Sequence, residues 1–417
     1  MEQKLMGNAV VGQSGGPTAA INATLAGVIR GVKENVHEGC IGTLYGMRNG
    51  IEGLLEERLV DLNAFFADED KIAALENTPA AALGSCRKKL PNPGDAEGEK
   101  VYEKLFSIFK KYNIRYFFYI GGNDSMDTVA KLSEYSKSHD YEMRILGVPK
   151  TIDNDLVATD HTPGFGSAAK YIAVTMQEIL RDCAVYTTKA VTIVEIMGRD
   201  AGWLTASSAI GRVVNGRAPD FVYLPERNFD MQQFFEDVRT ALKRHPNVVI
   251  AVSEGIHLAD GTYVCDNIGV GGTDVFGHKQ LSGTGKALEI AVKNEIGCKV
   301  RSVELNICQR CASHIASATD IAESVRVGRA AVAAAADGVS REMMTIERIS
   351  DQPYASRVGH ADVAKIANQI RKVDDTFINE QGNDVTDACC RYLLPLIQGE
   401  NVPSYTDGIP DYLVIER

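Results

Sequence analysis

The sharpest chemical signal lies in Pro149-Lys150-Thr151-Ile152-Asp153-Asn154-Asp155, where one cation, one hydroxyl and two carboxylates fall within a short stretch. Asp153 and Asp155 are two positions apart, so an extended backbone points both the same way. Two carboxylates beside one cation suit phosphoryl transfer: one takes a proton while the other orients it or helps to hold magnesium. A turn that caps the next helix is the plainer reading, but it needs neither Lys150 nor both aspartates. A second signal is Gln13-Ser14-Gly15-Gly16-Pro17-Thr18, between an apolar stretch and a helical one. Glycines there let the backbone approach an anion, and a helix N-terminus adds partial positive charge. The spacing is neither the dinucleotide fingerprint nor the Walker loop, and a simple strand–helix turn stays open. Gly12, Ser14 and Gly16 also match the G-x-S-x-G elbow of hydrolases. With only eleven residues before Gly12, an upstream strand and loop for an oxyanion hole are not expected, which argues against Ser14 as a nucleophile.

Other clusters carry chemistry of the same kind. Gly121-Gly122-Asn123-Asp124-Ser125 clears room for a phosphate chain and places polar groups able to meet a metal or repel an anion. Arg199, in Met197-Gly198-Arg199-Asp200, can grip a phosphate with two parallel hydrogen bonds, and Glu254, in Ser253-Glu254-Gly255, can accept from sugar hydroxyls. Each alone is as well explained by a surface ion pair. Arg301 and Arg310 flank the stretch ending in Asn306-Ile307-Cys308-Gln309-Arg310, and Arg87, Lys88 and Lys89 form a tight basic triplet.

These clusters must be held by elements, and the pattern around them is regular. Asn8–Gly12, Arg115–Ile120, Met143–Val148, Ala190–Ile196, Phe221–Leu224, Val248–Ser253 and Val300–Ile307 read as buried strands. Ala19–Val32, Ser167–Cys183, Asp200–Ile210, Met231–Arg244 and Ile321–Ala336 read as helices. Such alternation predicts the α/β class, with mostly parallel sheets and helices on both faces. Ligands in such sheets sit beyond the carboxyl ends of the strands, where the polar clusters fall. The expected division is 1–165 as an N-terminal α/β domain and 166–280 as a second α/β domain. Residues 281–417 are expected to return across both and end in a helical extension, since the motifs stop near residue 350.

Composition narrows the classes. The 417 residues are 45% hydrophobic and 24% charged, ordinary for a folded chain of two or three units. Acidic residues outnumber basic ones 55 to 44, giving a net charge of −11 without a basic patch of the nucleic-acid-binding kind. No run of about 18 apolar residues occurs, so no membrane span is expected, nor does Met1 to Val11 resemble a signal peptide. Nine scattered cysteines suggest a reducing compartment, the cytoplasm. The Cys308–Cys311 pair lacks a partner pair at zinc spacing, so buried structural thiols are expected there.

Taken in order, the Gly-Gly turn, GGND, PKTIDND, MGR, SEG and QR elements resemble the phosphofructokinase family from about residue 8 to 335. The resemblance implies two Rossmann-like three-layer α/β domains, the first on the phosphoryl-donor side and the second on the sugar-phosphate side, with the active site in the cleft between them. It also implies transfer of a phosphoryl group to the 1-hydroxyl of fructose 6-phosphate, with magnesium as cofactor. By motif, Asp153 is implied as the base, with Lys150 and Asp124 completing the catalytic group. Gly15, Gly122 and Arg87 are implied on the donor. Thr151, Ile152, Asp153, Asp155, Met197, Gly198, Arg199, Glu254, Arg301 and Arg310 are implied around the sugar phosphate. Asn123 and Asp153 are implied at the metal. Arg301 reaches a neighbouring subunit's site in family members, implying a homodimer or homotetramer.

Relatives that use ATP carry glycine where Asp124 and Lys150 stand, and relatives that use pyrophosphate resemble this chain at both. A carboxylate about 4 Å from a nucleotide phosphate, at an effective dielectric near 20, repels by roughly 4 kcal/mol, or about a thousandfold in binding. Lys150 supplies a compact charge for the bridging and leaving oxygens of pyrophosphate. The chain departs from the family pattern at Asn123, where Asp is usual, at Ile307, three residues before the QR arginine, and at Ala190, nine before the MGR arginine. An ATP-dependent enzyme and a catalytically silent regulatory subunit of the same fold are the rival readings.

Overall fold

The computed structural model describes residues 4–35, 39–268 and 283–415. The expected boundary between 280 and 281 lies outside them. Nine strands carry the argument: β1 Gly7–Gln13, β2 Ile41–Met47, β3 Leu59–Asp61, β4 Ile114–Gly121, β5 Arg144–Pro149, β6 Ala190–Ile196, β7 Phe221–Tyr223, β8 Asn247–Ser253 and β9 Lys299–Glu304. β1, β4 and β5 are almost wholly apolar because helices cover both faces of their sheet.

β2, β1, β4 and β5 are parallel neighbours, with β3 antiparallel at one edge. The other edge corrects the expected helical extension. Strand Glu342–Asp351 joins β5 in parallel, and strand Tyr354–Asp362 pairs back on it antiparallel, so the C-terminal region completes the first sheet. The outer strand alternates half-buried and exposed positions, the pattern of a half-solvated edge. The second sheet, ordered β7-β8-β6-β9, is entirely parallel. Helix Phe165–Cys183 joins β5 to β6 and packs in the second core with Trp203, Ile196 and Leu396.

Helices Ile21–Asn35 and Ala318–Ala336 pack closely on the first sheet. A Cβ on Gly27 would lie 2.1 Å from Val325 O, and one on Gly328 2.2 Å from Thr24 O, so only glycine permits this crossing. Ile21, Leu25, Val28 and Val32 are buried in the interface, each contributing roughly 1.5–3 kcal/mol of apolar burial. No helix among the described residues is long and apolar enough to cross a membrane.

Candidate active site

Three strand ends of the first sheet and two of the second converge on a cleft of about 420 Å³. After β1 the chain turns through Gly15 at φ 80°, where a Cβ would approach Lys150 Nζ to 3.1 Å. The turn is held from outside by a network the sequence did not reveal. The Gln13 side chain donates to Asn22 Oδ1 at 2.8 Å and accepts from Leu83 N at 2.9 Å. Ser85 Oγ donates to Gly15 O at 2.6 Å, and Gly15 N donates to Cys86 O at 3.1 Å. These bonds carry Arg87 to the cleft wall beside Ser14, Gly15 and Gly16.

Gly122, at the end of β4, opens helix Asn123–Ser138, whose first turn presents Asp124 to the cleft. A carboxylate there is favoured by the helix N-terminus. Lys89 Nζ stands 3.0 Å from it. β5 delivers Lys150, whose N–H donates to Gly121 O at 2.9 Å and whose side chain is only 3% exposed. Thr151 Oγ1 accepts from Asp153 N at 3.1 Å, and Asn154, at φ 56°, accepts from Thr162 N at 3.0 Å through Oδ1. Asp153 and Asp155 therefore both face the cleft, as their spacing predicts.

From the second sheet, β6 brings Met197, Gly198 and Arg199, and β8 brings Glu254. Gly198 N donates to Glu254 Oε1 at 3.3 Å, and Ser253 Oγ donates to Gly198 O at 2.5 Å. Arg199 lines the cleft, with its Nε buried and without a hydrogen-bond partner. Met197 lies next door, in a smaller hollow of about 70 Å³ that shares Glu254 with the cleft.

Burial sets the charges here. It pushes the Lys150 ammonium down to about 8, with Asp153 and Asp155 pulling the other way. Burial, reinforced by the Asp153 charge, pushes Asp155 up to about 7 and Glu254 up to about 8. Asp153 also moves up by burial, opposed by Lys150 and Arg199. Such perturbed groups gather where chemistry is done.

Several expected residues fall elsewhere. Ile152 points away from the two aspartates into the second core, 7% exposed, so its side chain does not line the cleft. Arg301 is exposed on the edge strand β9, beside Asp182, Tyr186 and Lys299, outside this chain's own cleft. Arg310 approaches the turn after β1: its Nη1 is 3.8 Å from where a Cβ on Gly16 would sit. Asn123 lines the cleft, but its carboxamide is engaged at both ends, donating to Gln369 O at 2.6 Å and accepting from Asn368 N. Cys308 and Cys311 are exposed rather than buried, because their short helix turns Gln309 inward. The G-x-S-x-G reading finds no base among the described residues, none of whose histidines lines the cleft around Ser14.

Other residues give weak sequence signals or none. Gln309, buried, accepts from Met197 N at 3.2 Å and fixes the MGR turn. Glu195, a lone charge in an apolar strand, accepts from Gly283 N and Gly285 N at 3.2 and 2.7 Å; burial pushes it up to about 7. Asn368 and Ile370 line the cleft from the C-terminal region. A larger hollow of about 970 Å³ lies between Arg48, Arg58 and Tyr412–Ile415, and among the described residues no carboxylate lines it.

Comparison with known proteins agrees with this geometry. The family model described as phosphofructokinase matches residues 8–335. The pyrophosphate–fructose 6-phosphate 1-phosphotransferase of Halomonas elongata is 43% identical over 97% of this chain and 94% of its own length. That of Methylococcus capsulatus is 41% identical over 98% and 96%. The crystal structure of the pyrophosphate-dependent phosphofructokinase from Nitrosospira multiformis superposes with a TM-score of 0.87 at 40% identity, covering 98% of this chain and 96% of that one. With its cleft built from GGND, PKTIDND, MGR and SEG strand ends, the chain belongs to the phosphofructokinase family.

Proposed function

We propose that this protein reversibly transfers a phosphoryl group from pyrophosphate to the 1-hydroxyl of fructose 6-phosphate, giving fructose 1,6-bisphosphate and phosphate. The observation that carries the reading is the joint presence of Asp124 and Lys150 on the wall of one cleft with Asp153 and Asp155. Asp153 takes the proton of the attacking hydroxyl; its raised affinity for protons suits a base working near neutral pH. Thr151 steadies the loop from which Asp153 projects. Lys150 meets the bridging and leaving oxygens of the donor, whose arrival restores the proton affinity that burial has lowered. Arg199, with its unpartnered Nε, and Glu254 take the sugar phosphate, while Gly15, Gly122 and Arg87 hold the donor.

Asp124 disfavours the phosphate chain of a nucleotide. Lys89 softens that field, so the penalty is smaller than the ~4 kcal/mol of two bare charges. Magnesium fits as an ion carried mainly by donor oxygens. Among the described residues no three acidic, histidine or cysteine side chains form a cage, and one or two carboxylates are all that such ions usually ask of a protein. Asp153 and Asp155 would hold it, and when bound it would screen phosphate charge. Asn123 is a poor candidate, with its carbonyl oxygen already accepting from Asn368. Arg301 on its exposed edge strand suits a homodimer or homotetramer in which it serves a neighbour's cleft. We place the protein in the cytoplasm, consistent with nine free thiols.

A coupled assay of the purified protein with fructose 6-phosphate and magnesium tests this. Turnover is expected with pyrophosphate, with ATP at least a hundredfold poorer in kcat/KM. Activity with ATP alone would overturn the donor assignment, and no turnover with either would favour the regulatory-subunit reading.

A further inference from the structure

The residues that match the family model end at 335, yet two residues beyond that point, Asn368 and Ile370, line the reaction cleft. They belong to a strap, residues 366–373, which begins at Ile366 in the core of the first domain and ends at Val373 in the core of the second. Between these anchors it is held by backbone hydrogen bonds and by the Arg371 side chain, whose Nη2 donates to Tyr392 Oη at 3.0 Å. Arg371 N donates to Asp155 O at 2.7 Å. Arg371 O accepts from Trp203 Nε1 at 3.1 Å, and the Arg371 guanidinium lies 4.3 Å from the Trp203 ring centre. Val373 N donates to Glu226 Oε1 at 2.9 Å. At the cleft itself the holder is Asn123, donating to Gln369 O and accepting from Asn368 N.

That pairing gives a physical reason for asparagine at 123. A carboxamide offers one donor and one acceptor, and the strap needs both. A carboxylate of the same shape would face the Gln369 carbonyl oxygen at about 2.6 Å with no proton between them. Ile370 remains 45% exposed, its side chain on the cleft wall rather than in a core. The cleft, at about 420 Å³, is near the small end of ligand pockets (~300–1,000 Å³) and must take a sugar phosphate as well as a donor.

Resting on the pyrophosphate reading above, we propose that residues 368–370 form the wall that limits donor size, and that Asn123 is the positioning residue that keeps this wall in place. Asp124 opposes a nucleotide by charge; the strap opposes it by occupying space.

The test compares wild type, Asn123→Asp and Ile370→Ala by kcat/KM for pyrophosphate and for ATP, with amide hydrogen exchange over 366–373 and a thermal midpoint to verify folding. Asn123→Asp is expected to speed exchange at Asn368 and its neighbours at least tenfold and to lower the pyrophosphate-to-ATP ratio at least tenfold. Ile370→Ala is expected to lower the ratio severalfold without loosening the strap. A purely structural role would depress both donors equally and leave the ratio unmoved. Pyrophosphate preference that survives both variants, or unchanged exchange in Asn123→Asp, overturns the proposal. A wild type that prefers ATP would instead overturn the donor reading beneath it.

Discussion

Two buried charge clusters lie on the same loop and treat their charges in opposite ways. Around His161 each charge faces an opposite one. Its Nδ1 lies 2.7 Å from Asp160 and its Nε2 2.6 Å from Glu323. Glu323 also accepts from Tyr354, Ser356 and Arg326, and Asp160 from Arg348. Burial alone would lower the imidazole's proton affinity, but the two carboxylates raise it to about 9. Asp160 and Glu323 end below the usual carboxylate range, because His161 outweighs their burial. In the cleft the same burial goes uncompensated, and Asp153, Asp155 and Glu254 rise while Lys150 falls. The first cluster balances its charges within the protein; in the second, burial dominates. Thr162 joins them, donating to Asn154 Oδ1 at 3.0 Å and to Thr151 O at 2.7 Å, so the satisfied cluster braces the unsatisfied one.

The largest expected effect comes from Asp153→Asn. It removes the base, and kcat should fall about 10²–10⁴-fold with the thermal midpoint unchanged or higher. Steady-state kinetics beside calorimetry would detect the opposite pattern, retained turnover with lost stability, which would place Asp153 in the scaffold.

His161→Gln tests the other cluster. It leaves Asp160 and Glu323 buried without their shared cation, at a cost of about 3–5 kcal/mol. The wild-type group has a folded value of about 9 against an ordinary 6.5. Its contribution is therefore full below about pH 6.5 and is lost as pH rises through about 9, in total roughly 3 kcal/mol. Denaturant unfolding across that window should show the decline in wild type and not in the variant. A variant as stable as wild type would mean that the network does not brace the loop.

The smallest effect expected is the gain from Asp155→Asn. Asp155 sits in the folded protein at about 7, above its ordinary 3.8, so its charge opposes folding at neutral pH and the strain eases as pH falls. Neutralising it should stabilise by about 1–2 kcal/mol after allowing for partial solvent access. It should also move the acid limb of the kcat/KM profile downward, by relieving Asp153 of a like charge. Lost stability would erase the contrast between the clusters.

What the sequence disclosed divides along the same line. Cleft residues were legible because each follows a continuous apolar strand and sits where the chain must turn: Gly15 after β1, Asp124 after β4, Asp153 after β5, Arg199 after β6, Glu254 after β8. The brace was not, because His161 and Glu323 are 162 positions apart and only the fold brings them together. The strap hid for another reason: backbone groups of Asn368, Gln369, Arg371 and Val373 make most of its hydrogen bonds, and these leave little pattern in residue types. The strand Tyr354–Asp362 is hard to read from sequence because, with no buried position, it has no continuous apolar run to mark it. Ile152 shares its motif with Asp153, but its side chain packs in the second core while Asp153 faces the cleft, a division that residue types alone do not show.

The most direct test of the contrast is the protonation of the cleft carboxyls in the ligand-free protein. Difference infrared spectroscopy of the carboxylic acid C=O stretch, from about pH 5 to 9, should reveal buried acids still protonated near about pH 6, part of that signal titrating near about 7. It should diminish in Asp155→Asn and survive in Glu323→Gln. A signal that is absent above about pH 5, or that vanishes with Glu323 rather than Asp155, would contradict the account.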